Sequence, residues 1–220
     1  QGLPVTFCLD RGGLVGEDGA THAGTFDLSA YRAVPNVTIS APRNEAELKN
    51  LMHTALSHKG GPFIIRYPRG CGEGVPWEGL KADILPEGKG EKLMDGKTVA
   101  VLGVGPVVNR ALEAAKRHKL DYWVGPAVWD MRWIKPLDTD ILEQAAKYSV
   151  ILTVEDGSLK GGLYGAVSEY FAGRPGSPVI KGVGVPDRFI PNAPQSRQRE
   201  ECGIDTDSLF ELMKEMMSLL

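Results

Sequence analysis

The sequence runs to 220 residues, 42% of them hydrophobic and 24% charged, with a formal net charge of -3. A chain of this make-up can bury one moderate core or two small ones, which argues against global disorder, and it offers no basic face to displace counterions from a nucleic acid. No apolar run of about 18 residues and no charged-then-apolar leader occurs, so neither a membrane span nor secretion is expected, and a cytoplasmic location is.

The chain opens on Gln1-Gly2-Leu3-Pro4, without an initiator Met, and passes directly into apolar residues 5–9. It is expected to be cut from a longer protein. Short β-branched and apolar runs at 4–9, 37–40, 63–67, 98–104, 122–130, 150–155 and 179–183 read as strands. They alternate with helical patterns, the signature of an α/β fold on a mostly parallel sheet. The clearest helix covers residues 45–57, where Leu48, Leu51, Met52, Ala55 and Leu56 share a stripe behind Asn44 and Glu47, the two ends of a capping box. Residues 70–96 break into Gly, Pro and charged residues around Trp77 and read as a linker. The expected division is therefore a first unit at 1–75, too short for a complete doubly wound domain, a linker at 76–96 and a second α/β unit at 97–220. The last helix, from about Asp207, carries an apolar stripe at Leu209, Leu212, Met213, Met216 and Leu220. Left exposed, that stripe would favour a dimer or larger species. Cys8, Cys71 and Cys202 are odd in number and form no CxxC pair, as expected of free thiols in a reducing compartment.

The densest polar cluster, residues 10–24, follows the first strand and holds Asp10, Arg11, Asp18 and His22 among five glycines. In open α/β sheets ligands bind beyond the carboxyl ends of strands, and glycines let a backbone approach them closely. A solvated connecting loop has the same composition, so the residues alone do not name a substrate. Other candidates read as structural. His53 lies inside a helix, while His58 and His118 suit helix ends, where a cation complements the dipole. Gly103-Val104-Gly105-Pro106 lacks the third glycine of a dinucleotide fingerprint and reads as a strand-to-helix turn. Glu155-Asp156 reads as a cap for the glycine-rich turn beyond it.

Residues 10–29 run Asp-Arg-x-Gly-x-Val-Gly-x-Asp-Gly-x-Thr-His-x-Gly-x-Phe-Asp-Leu-Ser. This string resembles the motif of the 1-deoxy-D-xylulose-5-phosphate synthase family of the transketolase superfamily. Transketolases proper are similar at its Glu-Asp-Gly-x-Thr-His core but lack its two ends. Further matches are Arg66-Tyr67-Pro68-Arg69-Gly70, residues 134–138, Thr153-Val154-Glu155-Asp156-Gly157 with Gly161-Gly162, and residues 184–191. Together they cover nearly the whole chain in order.

The resemblance implies a partial pyrimidine-binding-type parallel-sheet domain followed by a transketolase carboxy-terminal-type α/β domain. It implies a homodimeric parent that condenses pyruvate with glyceraldehyde 3-phosphate, using thiamine diphosphate and magnesium, and releases carbon dioxide. Arg11 and Arg66 would grip the aldehyde's phosphate, and Asp18 and His22 would hydrogen-bond substrate oxygens near the reacting carbon. Guanidinium forks suit phosphate, and an imidazole N–H can donate to a developing alkoxide. Arg69 competes for the phosphate role, but its Pro and Gly neighbours suit a solvated strand exit. The Gly-Asp-Gly motif that holds the diphosphate through magnesium in the family occurs nowhere here, and the family's glutamate lies upstream. No cofactor-binding or metal-binding residue is therefore expected in this chain, and alone it is expected to be inactive. The alternatives are another transketolase-like enzyme and a non-catalytic dimerisation or regulatory module.

Overall fold

A computed structural model of the chain describes residues 2–218. It is a mixed α/β structure with two parallel-rich sheets, as the sequence leads one to expect. The first sheet is built from β1 (Thr6–Leu9), β2 (Thr38–Ser40), β3 (Phe63–Arg66) and a later strand, β7 (Trp133–Lys135). Its order is β1-β3-β2-β7, with β1 and β2 parallel to β3 and β7 antiparallel to β2. Helices α1 (Asp27–Arg32) and α2 (Glu45–Ser57) make the crossovers that parallel neighbours require. The second sheet runs β4 (Glu91–Met94), β6 (Ala127–Asp130), β5 (Ala100–Val104), β8 (Val150–Ser158), β9 (Val179–Val185), all parallel except β4. Around it lie α3 (Val107–Tyr122), α4 (Thr139–Ala145), α5 (Leu163–Phe171), α6 (Gln195–Cys202) and α7 (Thr206–Met217).

Every residue of β5 is buried, as an apolar run covered on both faces demands. One apolar cluster lies where the two sheets face each other and joins Ile39 and Ile64 of the first to Leu102, Trp129 and Ile151 of the second. A second cluster packs α3 and α7 on the far face of the second sheet, and a third packs α2 on the first. The helix α2 has the expected bounds. Asn44 accepts from the Glu47 N–H at 2.9 Å, but the Glu47 carboxylate closes the cap one residue early, on the Arg43 N–H at 2.7 Å.

Several local expectations fail for identifiable reasons. Residues 122–125 do not begin a strand: α3 runs on to Tyr122 and Trp123 ends it in the left-handed region at φ 63°. Strand propensity in Tyr122-Trp123-Val124 yields to the Gly125-Pro126 break, after which Ala127 starts the ladder opposite Ala100. Strand β4 lies inside the expected linker, because its mixed polar residues suit an antiparallel edge better than a sequence pattern reveals. Strand β7 is only three residues long and follows Arg132, which turns the chain between the sheets at φ 56°.

The apolar stripe of α7 is consumed inside the chain. Leu209, Met213 and Met216 are buried, and Leu212 packs against the same cluster. It therefore carries no argument for an oligomer; Leu220 lies outside the described residues. His118 is not a dipole-complementing surface residue either. It is fully buried, stacked on Phe210 at 4.1 Å, with Nε2 hydrogen-bonded to the Phe210 carbonyl. His58 faces the Glu87 carboxylate at 2.5 Å.

Candidate active site

Strands β1 and β3 are parallel neighbours with Leu9 opposite Arg66, so the loop from Asp10 springs from one carboxyl end beside the exit of the other. This is the sheet edge where open α/β folds take ligands. The loop is pinned by its own backbone: the Gly12 N–H donates to the Tyr67 carbonyl at 2.8 Å, Gly13 to Gly24 at 3.1 Å, and Gly24 to Arg11 at 2.9 Å. Gly13 sits at φ 88°, and a Cβ there would run into the Asp156 carboxylate. Arg11 is held at φ 55°, a left-handed conformation costing a non-glycine residue about 1–2 kcal/mol.

The polar side chains of the loop gather on Asp18. Arg11 Nε lies 3.2 Å and Arg69 Nε 2.8 Å from its Oδ2, and Arg11 Nη1 also reaches Asp10 at 2.6 Å. Both guanidiniums remain close to half exposed, so each keeps donors available to a ligand. His22 places Nδ1 3.1 Å from the Asp18 carbonyl and 3.2 Å from Thr21 Oγ1. With Nδ1 donating to that carbonyl the neutral ring leaves Nε2 as an acceptor. Accepting from Thr21, or carrying a second proton, it presents an Nε2–H donor.

Arg66 occupies a different setting. Only 3% exposed, it donates from Nη2 to the carbonyls of Gly24 at 3.0 Å and Asp156 at 2.5 Å, beneath the loop. Asp27 Oδ2 lies 3.9 Å from its Nε. Burial raises the pKa of Asp27 and of Asp156 and pushes Glu155 up to about 7, and the Arg66 charge pulls each back. The Nη2 group is committed to those carbonyls, while among the described residues Nε makes no hydrogen bond. The structure thus brings Arg11, Asp18 and His22 together, adds Arg69, and sets Arg66 under them as the counter-charge of a buried acidic group.

The second sheet supplies the floor. Asp156 Oδ1 accepts from the Leu14 N–H at 3.1 Å, fixing the loop to β8. Glu155 accepts from the N–H groups of Leu163 and Tyr164, each at 2.9 Å, and so caps α5 as expected. Gly162 must be glycine, since a Cβ would collide with the Glu155 carboxylate. Gln198 and Gln195 of α6 hold Gly16 and Leu14 from the other side, through contacts spanning more than 180 residues that no local pattern announces.

Two family models match this chain: transketolase, pyrimidine binding domain, over residues 1–73, and transketolase, C-terminal domain, over residues 88–209. The second alone spans more than half of it. The chain belongs to the transketolase family. It is 44% identical over 217 residues to a 1-deoxy-D-xylulose-5-phosphate synthase of Bacteroides thetaiotaomicron, covering 98% of this chain and 33% of that protein. The synthase of Parabacteroides distasonis is 45% identical over 215 residues, 97% of this chain and 34% of the relative. That of Nitratidesulfovibrio vulgaris is 43% identical over 221 residues, with 99% and 34% covered. The chain therefore spans about a third of the length of the curated relatives it matches. Among solved structures, a chain described as a split gene transketolase, inactive beta4 tetramer, superposes with a TM-score of 0.80 at 30% identity, covering 97% of this chain and 66% of that one.

Proposed function

We propose that this chain supplies the acceptor-aldehyde side of a thiamine-diphosphate-dependent synthase that joins pyruvate to glyceraldehyde 3-phosphate, giving 1-deoxy-D-xylulose 5-phosphate and carbon dioxide. The observation that carries the reading is the gathering of Arg11, Arg69 and His22 around Asp18 at the carboxyl edge of β1 and β3. In this reading Arg11 and Arg69 grip the phosphate, and Asp18 orients both guanidiniums through its ion pairs. His22 donates from Nε2 to the aldehyde oxygen as it gains negative charge, and Arg66, placed in the phosphate grip on the motif alone, acts as the strut beneath. The similarity to the three synthases supports the substrate pair.

Thiamine diphosphate bound in the parent would supply the chemistry that decarboxylates pyruvate and activates it toward the aldehyde. The Gly-Asp-Gly motif that the resemblance calls for to hold its magnesium does not occur in the 220 residues. We assign the magnesium and diphosphate to other parts of a parent protein, which we take to be a cytoplasmic homodimer. The parent would cover edge strand β1, where Val5 and Phe7 are exposed. Within it we retain the division at 1–75, 76–96 and 97–220.

The test is product analysis. A full-length protein containing this chain, given pyruvate and glyceraldehyde 3-phosphate, should release one carbon dioxide per deoxyxylulose phosphate formed, while the 220-residue chain alone turns over nothing. Two-carbon exchange between sugar phosphates without carbon dioxide would make it a transketolase proper. Turnover by the short chain would overturn the assignment of the cofactor site elsewhere.

A further inference from the structure

A cavity of about 530 Å³ opens between the two halves of the chain, walled by residues 42–48 and 67–73 on one side and by the starts of α3 and α6 on the other. Its volume suits a small ligand. Four arginines line it, and two already have carboxylate partners: Arg43 faces Asp130 at 3.4 Å and Glu91 at 3.3 Å, and Arg69 holds Asp18. Arg110 and Arg199 have none. Among the described residues neither has a carboxylate oxygen within 4.0 Å, and the one hydrogen bond from Arg199 goes to Gln195 Oε1 at 3.0 Å. Both are partly buried.

The acidic groups of the wall offset their charge only in part, since none forms an ion pair with either. Glu45 accepts from the Gly74 N–H at 2.7 Å, Glu73 is exposed, and Asp156 is turned to Leu14 with its pKa raised by burial. Both guanidiniums line one cavity, where burial and then the charge of Arg110 hold the pKa of Arg199 down while Asp156 and Glu73 pull it partly back. Like charges on a partly desolvated wall are unfavourable in an empty site, and an anion between them turns the repulsion into charge-assisted hydrogen bonds. The sixteen-residue α3 begins at Pro106 on the same wall and directs the positive end of its dipole inward.

We propose that this cavity is a second anion site, separated from the acceptor pocket by Arg69, and that Arg110 and Arg199 bind a small phosphate ester or diphosphate there. Calorimetric titration of inorganic pyrophosphate into the 220-residue chain tests it directly. Wild-type chain should bind, and Arg110→Gln and Arg199→Gln should each weaken binding by about tenfold or more, as expected for loss of a charged hydrogen bond. Arg11→Gln, which disables the proposed acceptor grip, should keep a binding event that Arg110 and Arg199 still control. Among the described residues the Arg110 side chain makes no ion pair or hydrogen bond, so an unaltered urea midpoint certifies Arg110→Gln as folded. Absence of binding to the wild type, unchanged affinity in Arg110→Gln, or loss of binding in Arg11→Gln would each overturn the site.

Discussion

Replacing Arg66 with alanine should destabilise the chain by about 3–5 kcal/mol, the range for removing one partner from a buried charge cluster. Its guanidinium is a positive charge shared by Asp27, Glu155 and Asp156, and its Nη2 serves two half-buried carbonyls on segments more than 40 residues to either side. Without it three desolvated carboxyls lose their common counter-charge and the Gly24 and Asp156 carbonyls lose a donor. Arg66→Met, which keeps most of the stem, should cost nearly as much, because packing is the smaller part of the loss. Urea unfolding measures both; a loss below about 1 kcal/mol in either variant would mean that the carboxyls find other partners.

Stability should also fall by roughly 3 kcal/mol as pH rises from about 4.5 to about 7, and Glu155 is the cause. Its folded pKa of about 7 lies above the ordinary 4.5, since burial disfavours the carboxylate more than the two α5 N–H bonds favour it. The folded state therefore holds a proton that the unfolded chain has released. The contribution is fully present below about 4.5 and lost as pH climbs through 7. In Glu155→Gln this slope should shrink to the part owed to Asp27 and Asp156, whose pKa burial also raises, even though the amide, unable to accept from both N–H groups, is less stable overall. In Arg66→Ala the midpoint of the loss should move to higher pH. A wild-type chain whose urea midpoint is flat between pH 5 and 8 would contradict the assignment.

The fold was largely legible because its parallel strands are short apolar runs broken by capped helices, patterns set by neighbours in sequence. The loop proposed for the acceptor site was legible as a sheet-edge loop: a strand followed by glycines and charges marks one, and Arg11, Asp18 and His22 do meet there. The different surroundings of Arg66 and Arg69 were not. They stand three residues apart around Pro68, and the carbonyls of Gly24 and of Asp156, the latter brought in by β8 from 90 residues away, hold the first inward while the second lies beside Asp18. Arg110 and Arg199 were missed for the same reason: helix positions 89 residues apart carry no joint signal until α3 and α6 meet at one cavity. The burial of His118 likewise depends on α7 arriving with Phe210.

The central claim is that Arg11 and Arg69 form the phosphate grip of the acceptor site. The most direct measurement compares Michaelis constants of the full-length protein and its Arg69→Ala variant for glyceraldehyde 3-phosphate and for unphosphorylated glyceraldehyde. Losing one forked, charge-assisted contact should raise the constant for the phosphorylated aldehyde about ten- to a hundredfold. The constants for pyruvate and unphosphorylated glyceraldehyde should hardly move. Equal losses for both aldehydes would show that Arg69 merely holds Asp18 and the loop in place and never touches the phosphate.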